Sequence, residues 1–579
     1  MKKFWIVILV LMVMGFGALG TAWWFLRSLD TDVVMGGDGN VLYWVVDHDY
    51  PESRREGALA RLMQGEGPVQ HEMVLALRRA AADRGVDGLF LEIRALPTSW
   101  AQVQELRDAV AFFRASGKPV HAWLAAGGNA EYQLALAADA VTLAPEGMLM
   151  LPGVSATLTY VAGSLDKLGM QADYVHVGRY KSAPETYERT GPSEASREML
   201  DAILDGTYAD LVDAASAARS LDPAAVRALF DRGLFDAASA LAAGLVDRVD
   251  YLPDALDAAF PQGETRDLDD YAWLGGRKRG PEVTVVTVAG TIVDGESSDG
   301  GWSGGPNAGS ITVVDQLQDC YDDEHVAAVI LRVDSPGGSA LASDLIWNEV
   351  RALREVKPVV VSMGGMAASG GYYVACAADS VFALPGTLTG SIGVFAGKMA
   401  REEFFGRIGV TREALTRGEN ARLFDDHAPF TPDQRRLLQA QLDAFYDRFV
   451  EKVATGRRLE KARAEAAAQG RVWTGRDALA AGLVDGLGGL PRAMASVRAM
   501  LGLPPDAPLH LTTFEDERTL LEKVVLRSLE SRAPAVTAGA VTAGAVPPSL
   551  VREAAAAAAW TELLDGRPLA LSPVRVELR

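Results

Sequence analysis

Short β-branched and apolar runs alternate with stretches of helical periodicity along much of the chain. The runs at 283–288, 326–333 and 358–363 have the composition of strands, and the stretch 341–356 between the last two has helical character. Runs without a polar face are typical of strands covered by helices on both sides. The pattern therefore predicts βαβ units and parallel sheets, which is an α/β fold.

The chain also resembles itself at a period of about 240 residues. Residues 86–97 match residues 326–336, residues 129–141 match residues 369–381, and each copy closes with the same ALAAGLVD segment. A repeat of this length indicates one folded unit used twice. We therefore expect two tandem βαβ domains.

These patterns divide the chain into five parts. We expect an N-terminal transmembrane anchor at 1–30, a first α/β domain at 38–260 and a second α/β domain at 282–505. Residues 261–281 between them are polar and rich in glycine and charge, as in a linker. Residues 506–579 form a C-terminal extension that is absent from the first copy and partly of low complexity, and no chemistry is assigned to it.

The N-terminus carries an uncharged apolar segment from Phe4 to Leu26. As a helix it would be roughly 34 Å long, enough to cross a bilayer. Lys2 and Lys3 precede it, which predicts a single-pass protein of the inner (cytoplasmic) membrane with its body on the periplasmic side. A cleaved signal peptide is the alternative, because small residues at Ala18 and Gly20 suit a cleavage site.

Composition excludes several other classes of function. The formal net charge of −20 disfavours binding to nucleic acid. The two cysteines, Cys320 and Cys376, do not suggest a disulfide framework. The seven histidines lack the spacing of metal ligands, so we expect no metal and no cofactor.

Ser369 is the candidate nucleophile. It follows the predicted strand at 358–363 and precedes an apolar helix, with Gly370 and Gly371 directly after it. Glycines allow close approach of a substrate, and a helix N-terminus favours negative charge where an oxyanion develops. The alternative is a serine that only caps the helix.

A second glycine pair suits an oxyanion hole. Gly337 and Gly338 follow the predicted strand at 326–333 in a Pro-Gly-Gly turn. The backbone N–H of Gly338 or Gly337, together with that of Gly370, could stabilise a developing oxyanion, although such a turn also occurs as a simple βα connection.

A serine nucleophile needs a base, and no histidine occurs between His325 and His427. His427 itself lies in a polar loop. Lys181 is the remaining candidate, since a lysine acts as a base when burial lowers its pKa, although most lysines are simply solvated. In the repeat alignment Asn129 stands in the place of Ser369, and Ala421 in that of Lys181. Each copy thus holds half of a Ser-Lys pair.

At these residues the chain resembles signal peptide peptidase A in its long bacterial form, with tandem domains of the Clp/crotonase type. Four segments carry the resemblance, which spans roughly residues 40 to 500: 178–185 (GRYKSAPE), 332–339 (RVDSPGGS), 362–373 (SMGGMAASGGYY) and 388–395 (LTGSIGVF).

The resemblance implies a serine peptidase in which Lys181 and Ser369 form a Ser-Lys dyad and Ser391 orients the lysine. It also implies that cleaved signal peptides and other membrane-proximal unfolded segments are the substrates. A ring-shaped homo-oligomer, with a tetramer suspected, is a further expectation of the resemblance.

Two other functions remain possible from the sequence. A crotonase-type acyl-CoA hydratase or isomerase would use the same fold and oxyanion hole with carboxylates as acid and base. A non-catalytic membrane scaffold would have lost activity in both copies, which the intact motifs of the second copy disfavour.

Overall fold

The computed structural model describes residues 40–53, 67–261, 263–273, 279–298, 305–514 and 569–571. The predicted membrane anchor at 1–30 lies outside these residues. Among the helices that are described, none combines the length and apolar character needed to cross a bilayer.

The strands are β1 (Asn40–Val46), β2 (Gly88–Ile93), β3 (Val120–Leu124), β4 (Ala140–Leu143), β5 (Met148–Met150), β6 (Gln171–Val177), β7 (Leu234–Asp236), β8 (Arg248–Val249), β9 (Glu264–Asp267), β10 (Glu282–Ala289), β11 (Thr291–Val293), β12 (Asn307–Gly309), β13 (Val326–Ser335), β14 (Gly337–Ser339), β15 (Val359–Ala368), β16 (Ser380–Ala383), β17 (Leu388–Gly390), β18 (Val394–Ala400), β19 (Val472–Thr474), β20 (Gly486–Leu487), β21 (His510–Thr513) and β22 (Leu569–Leu571).

The helices are α1 (Gln70–Ala82), α2 (Trp100–Arg114), α3 (Asn129–Ala135), α4 (Ala162–Leu168), α5 (Glu185–Glu188), α6 (Glu194–Arg219), α7 (Pro223–Arg232), α8 (Ala237–Ala242), α9 (Leu252–Ala259), α10 (Leu268–Trp273), α11 (Ser310–Asp322), α12 (Ala340–Leu353), α13 (Gly370–Ala375), α14 (Glu402–Arg407), α15 (Pro432–Gly456), α16 (Lys461–Ala467), α17 (Gly475–Ala481) and α18 (Leu490–Met500).

The first half of the chain is built on a parallel sheet of six strands in the order β8-β4-β3-β2-β1-β9. Every residue of β2, in the middle of this sheet, is buried. Such a strand must be covered on both faces, and helices α1 and α2 pack together beside it with their apolar residues in one core. This half is an α/β unit, as the internal repeat predicted.

The second half repeats this design. Its main sheet has the order β19-β17-β15-β13-β10-β21, and all pairings are parallel except that of β17 with β19. Strands β16 and β20 extend it beside β15. Some of the apolar side chains of β13 and β15 lie in one core with helices α12, α13 and α15, and the others pack in a second core with α18. The tandem α/β arrangement of the sequence prediction is therefore present.

A third, mixed sheet joins the two halves. Its order is β12-β11-β14-β22-β18-β6, so that β6 from the first half lies beside β18 from the second. The two strands pair antiparallel over seven residues, from Val177 opposite Val394 to Gln171 opposite Ala400. The halves thus share backbone hydrogen bonds as well as side-chain contacts.

The segment 261–281 differs from the linker that its composition suggested. Its β9 adds a parallel strand to the edge of the first sheet beside β1, and α10 follows directly. Leu268 and Ala272 of α10 are buried in the core of the first half. These two apolar side chains attach an otherwise polar segment to the first half. The average composition of the segment did not reveal them. The second half likewise continues past 505, because β21 pairs with β10.

A buried charge cluster also links the halves. The guanidinium of Arg332 on β13 donates hydrogen bonds to both carboxylate oxygens of Glu52, at 2.8 Å each, and to Glu105 on α2 at 2.7 Å. All three side chains are almost fully excluded from solvent. Burial alone would raise the pKa of Glu52, but Arg332 holds it below its usual range. Buried carboxylates of the first half therefore depend on a cation of the second.

Candidate active site

Ser369 lies where β15 ends and α13 begins, as the strand-then-helix pattern predicted. Its backbone has φ +55° and ψ −111°, a conformation that non-glycine residues seldom adopt. Its N–H donates to the carbonyl of Gly390 at 2.7 Å, which fixes the turn. The side chain makes no capping hydrogen bond to the helix, although the residue stands at the N-cap. The hydroxyl is therefore not used as a helix cap.

Lys181 reaches Ser369 from the other half of the chain. Its Nζ lies 2.7 Å from the Oγ of Ser369, and 3.1 Å from both the Oγ and the carbonyl oxygen of Ser391. Lys181 is 1% exposed, and Ser369 and Ser391 are fully buried. The structure thus brings together the predicted nucleophile, base and orienting serine within a single chain.

Burial sets the protonation of Lys181. It lowers the pKa of the ammonium well below its ordinary value, because a charged group loses hydration in this setting. Among the described residues no carboxylate forms an ion pair with it. Burial therefore favours the neutral form of this amine.

The turn that carries Lys181 is held by the second half. Tyr180 donates its N–H to the carbonyl of Gln469 at 2.7 Å. Gly470, with φ +74°, packs so closely that a Cβ there would lie 2.6 Å from the backbone nitrogen of Lys181. Gly393, just before β18, is also close to the lysine, because a Cβ there would lie 3.2 Å from Cδ of Lys181. Residues around 470 were not singled out in the sequence, because a Gln-Gly dipeptide at a surface-like position carries no catalytic signature.

The predicted oxyanion donors lie next to each other. A Cβ built on Gly370 would be 3.1 Å from the backbone nitrogen of Gly338. At Gly338 a Cβ would meet the carbonyl of Ile292 at 1.9 Å, so only glycine fits there. Gly337 has φ +98°, a backbone conformation that favours glycine. The backbone of both predicted donors thus converges on the serine.

Strand β15, which leads to Ser369, contains a bulge that lies against residues of the first half. Val333 lies opposite Met363 and Ser335 opposite Ala367, so that extra residues loop out of β15. The carboxyl of Asp334 accepts the N–H of Met366 at 2.8 Å inside the bulge. Burial, together with the charge of Glu52, raises the pKa of Asp334 to about 7.

Glycine is required in this bulge. A Cβ on Gly365 would lie 2.3 Å from the hydroxyl oxygen of Ser99, and one on Gly364 would lie 2.9 Å from Glu52. Both contacts come from the first half. Sequence reasoning missed them, since each joins residues more than 260 positions apart.

The counterpart site in the first half has no nucleophile. Asn129 begins α3 and donates from its side-chain nitrogen to the carbonyl of Gly153 at 2.7 Å. His427, the other base considered, lies 3.2 Å from Glu402 and makes no contact with Ser369. The chemistry is thus concentrated at one of the two related positions.

An α/β fold with a buried serine on a strained strand-to-helix turn, beside a base and two glycine turns, is typical of hydrolases that use a serine nucleophile. The sequence matches the model of Peptidase family S49 over residues 112–263 and 351–503. The chain therefore belongs to peptidase family S49 and is a serine peptidase.

Similar proteins carry related names. The chain is 31% identical over 468 residues to "Serine protease SPPA, chloroplastic" of Arabidopsis thaliana, with 77% of this chain and 68% of that protein covered. It is 33% identical over 498 residues to "Protease 4" of Salmonella typhi, with 82% and 79% covered. "Putative signal peptide peptidase SppA" of Enterococcus faecium is 32% identical over 184 residues, with 32% of this chain and 54% of that protein covered.

Proposed function

We propose that the protein hydrolyses peptide bonds with a Ser-Lys dyad formed by Ser369 and Lys181. The observation that carries this proposal is the 2.7 Å contact between Nζ and Oγ, made by a fully buried lysine. A neutral amine at that distance can take the hydroxyl proton as the serine attacks.

The reaction then proceeds in two stages. The Oγ of Ser369 bonds to the substrate carbonyl carbon while its proton moves to Lys181, and the N–H groups of Gly338 and Gly370 stabilise the oxyanion. The tetrahedral intermediate collapses as the Lys181 ammonium returns a proton to the leaving amine, which breaks the peptide bond. Water, deprotonated by Lys181, next cleaves the acyl-enzyme ester and restores the serine.

Ser391 has a positioning role in this proposal. Its hydroxyl and its carbonyl oxygen both lie 3.1 Å from Nζ, and its N–H is fixed by the carbonyl of Arg471 at 2.7 Å. These contacts hold the amine toward Ser369.

The substrates that we propose are cleaved signal peptides and other membrane-proximal unfolded peptides. The name of the Enterococcus faecium relative supports this class, as does the apolar N-terminal segment, which would hold the enzyme where such peptides are released. We further propose inner-membrane anchoring through residues 1–30, a periplasmic catalytic body and a homo-oligomer. Carbonate extraction of membranes tests the anchoring, protease accessibility of the catalytic body in spheroplasts tests its periplasmic location, and light scattering of the detergent-solubilised chain tests the oligomer.

Peptide hydrolysis by the full-length chain in detergent tests the dyad. Ser369→Ala and Lys181→Ala should each lower kcat/KM for an apolar fluorogenic peptide on the order of 10³-fold or more. The exposed residues Ser116 and Lys461 offer matched controls, and Ser116→Ala and Lys461→Ala should keep normal turnover. Near-normal hydrolysis by either dyad variant would show that the assignment is wrong.

The same variants separate the peptidase from the two other functions. A scaffold would hydrolyse no peptide in any form. An acyl-CoA hydratase would turn over thioesters, and neither Ser369→Ala nor Lys181→Ala should then be decisive.

A further inference from the structure

The mixed sheet contains a slot one strand wide. Strands β14 and β18 do not pair with each other, and β22 lies between them, antiparallel to both. Since neighbouring strands are about 4.8 Å apart, the edges of β14 and β18 are roughly 10 Å from each other. Two facing edges at that separation can hydrogen-bond one extended peptide from both sides.

The slot adjoins the catalytic residues. Within β14, Gly338 pairs with Ala570, and Gly338 is one of the two proposed oxyanion donors. On the other side, Phe395 of β18 pairs with Leu569, and β18 begins three residues after Ser391. An extended peptide in this slot therefore runs past the site where a substrate carbonyl must be placed.

The occupant is the chain's own C-terminal segment. Leu569, Ala570 and Leu571 are small or apolar, and Pro568 and Pro573 flank the segment. A proline cannot donate to a strand ladder, so the sequence favours only a short strand here. A short strand of this kind binds weakly and reversibly.

Tethering makes such a weak contact effective. The 54 residues from 515 to 568 separate the end of the second half from the strand. A ligand on the same chain as its binding site has an effective concentration on the order of millimolar when the connection allows binding. A substrate at micromolar concentration must compete with it.

We propose that the C-terminal strand is an internal competitive ligand of the peptide-binding slot between β14 and β18. This inference rests on the proposed peptidase function, because it assigns the slot to extended peptide substrates. The C-terminal strand thereby restrains hydrolysis until a substrate peptide displaces it, either because the peptide binds more tightly or because its local concentration is higher.

The full-length chain carrying Leu569→Pro and Leu571→Pro tests the proposal. These changes remove two backbone donors from the strand. The expected result is a fall in KM of at least about threefold for an apolar fluorogenic peptide, with kcat unchanged. The control is Ala556→Pro with Ala558→Pro, which places two prolines elsewhere in the tail and should leave KM at its original value.

A chain that ends at residue 514 should show the same fall in KM. A synthetic hexapeptide of sequence 568–573 should then inhibit it competitively, and the peptide with both leucines replaced by proline should not. An unchanged KM in the proline variant, with hydrolysis intact, overturns the proposal. A KM difference that grows with enzyme concentration also overturns it, since slot and strand belong to one chain.

Failure of the peptidase assignment gives a different result, namely no hydrolysis by any of these chains. In that case the labelling rate of Ser369 by a fluorophosphonate decides whether the tail covers the site. The proline variant should react at least about threefold faster than the full-length chain, and equal rates contradict the proposal.

Discussion

Lys181 owes its proposed reactivity to the loss of water around one amine. Its Nζ contacts only serine oxygens in the part of the chain that the structure describes, and burial is the cause that lowers its pKa. A carboxylate at this position would favour the ammonium and remove the base. In the proposed mechanism, exclusion of water from this amine performs the task that a histidine and an aspartate share in other serine enzymes.

This environment predicts how activity depends on pH. The amine must be neutral to accept a proton, so kcat/KM should rise as the pH passes through the lowered pKa and then reach a plateau. The plateau should begin well below about 10.4, the ordinary pKa of a lysine. A pH-rate profile with the apolar fluorogenic peptide measures this. A profile that rises only near 10.4, or that falls with pH in this range, contradicts the role of Lys181.

At the scale of secondary-structure elements, two turns position Lys181. The turn that carries Lys181 contacts the turn at 469–470 in the second half. Neither turn belongs to a regular helix or strand. The first follows β6 and the second precedes β19, and the pairing of β6 with β18 brings them together. The position of Lys181 therefore depends on the close backbone approach that Gly470 allows.

Gly470→Ala tests this dependence. The added Cβ would lie 2.7 Å from the Cβ of Lys181, so the lysine must shift, and kcat should fall on the order of 100-fold. Gly482→Ala is a matched control, because Gly482 also has a positive φ of +81° but meets only side chains of Leu459 and Arg463. The positive φ should cost each variant about 1–2 kcal/mol of stability. The clash with Lys181 should add to the loss in Gly470→Ala, and only that variant should lose activity. Equal activities would show that Gly470 does not position the base.

The strands and the site residues could be predicted from local sequence, whereas contacts between the halves could not. Apolar runs located β10, β13 and β15, and the internal repeat identified Lys181 and Ser369 as residues without a counterpart. The contacts of Arg332 could not be predicted. A charged residue in a strand suggests exposure to solvent, and its partner Glu52 lies 280 positions away in the sequence. The strand at 569–571 was equally hidden, since the four residues between Pro568 and Pro573 are too few to show strand periodicity.

In the whole molecule, the contact between Lys181 and Ser369 joins the two halves, so the proposed dyad needs both of them. The Arg332 cluster and the shared third sheet hold this arrangement. Arg332 binds Glu52 and Glu105, and Glu105 also accepts the N–H of Leu490 at 2.8 Å. Removing the cation leaves two buried carboxylates without their partner.

Arg332→Met should therefore destabilise the protein by about 3–5 kcal/mol. Adding Glu52→Gln and Glu105→Gln to this variant should recover part of the loss, since amides need no counter-charge. Arg436→Met, which breaks an exposed pair with Asp433, should cost less than about 1 kcal/mol. Thermal and denaturant unfolding compare the variants. A loss for Arg332→Met as small as that for Arg436→Met would show that the cluster does not hold the halves together.

Labelling with a fluorophosphonate probe reports directly on the nucleophile and its base. Mass spectrometry should find the phosphonyl group on Ser369, and the labelling rate should fall on the order of 100-fold or more in Lys181→Met, which keeps the volume but removes the amine. Labelling of a different residue, or labelling of Ser369 at the original rate without the amine of Lys181, would contradict the dyad.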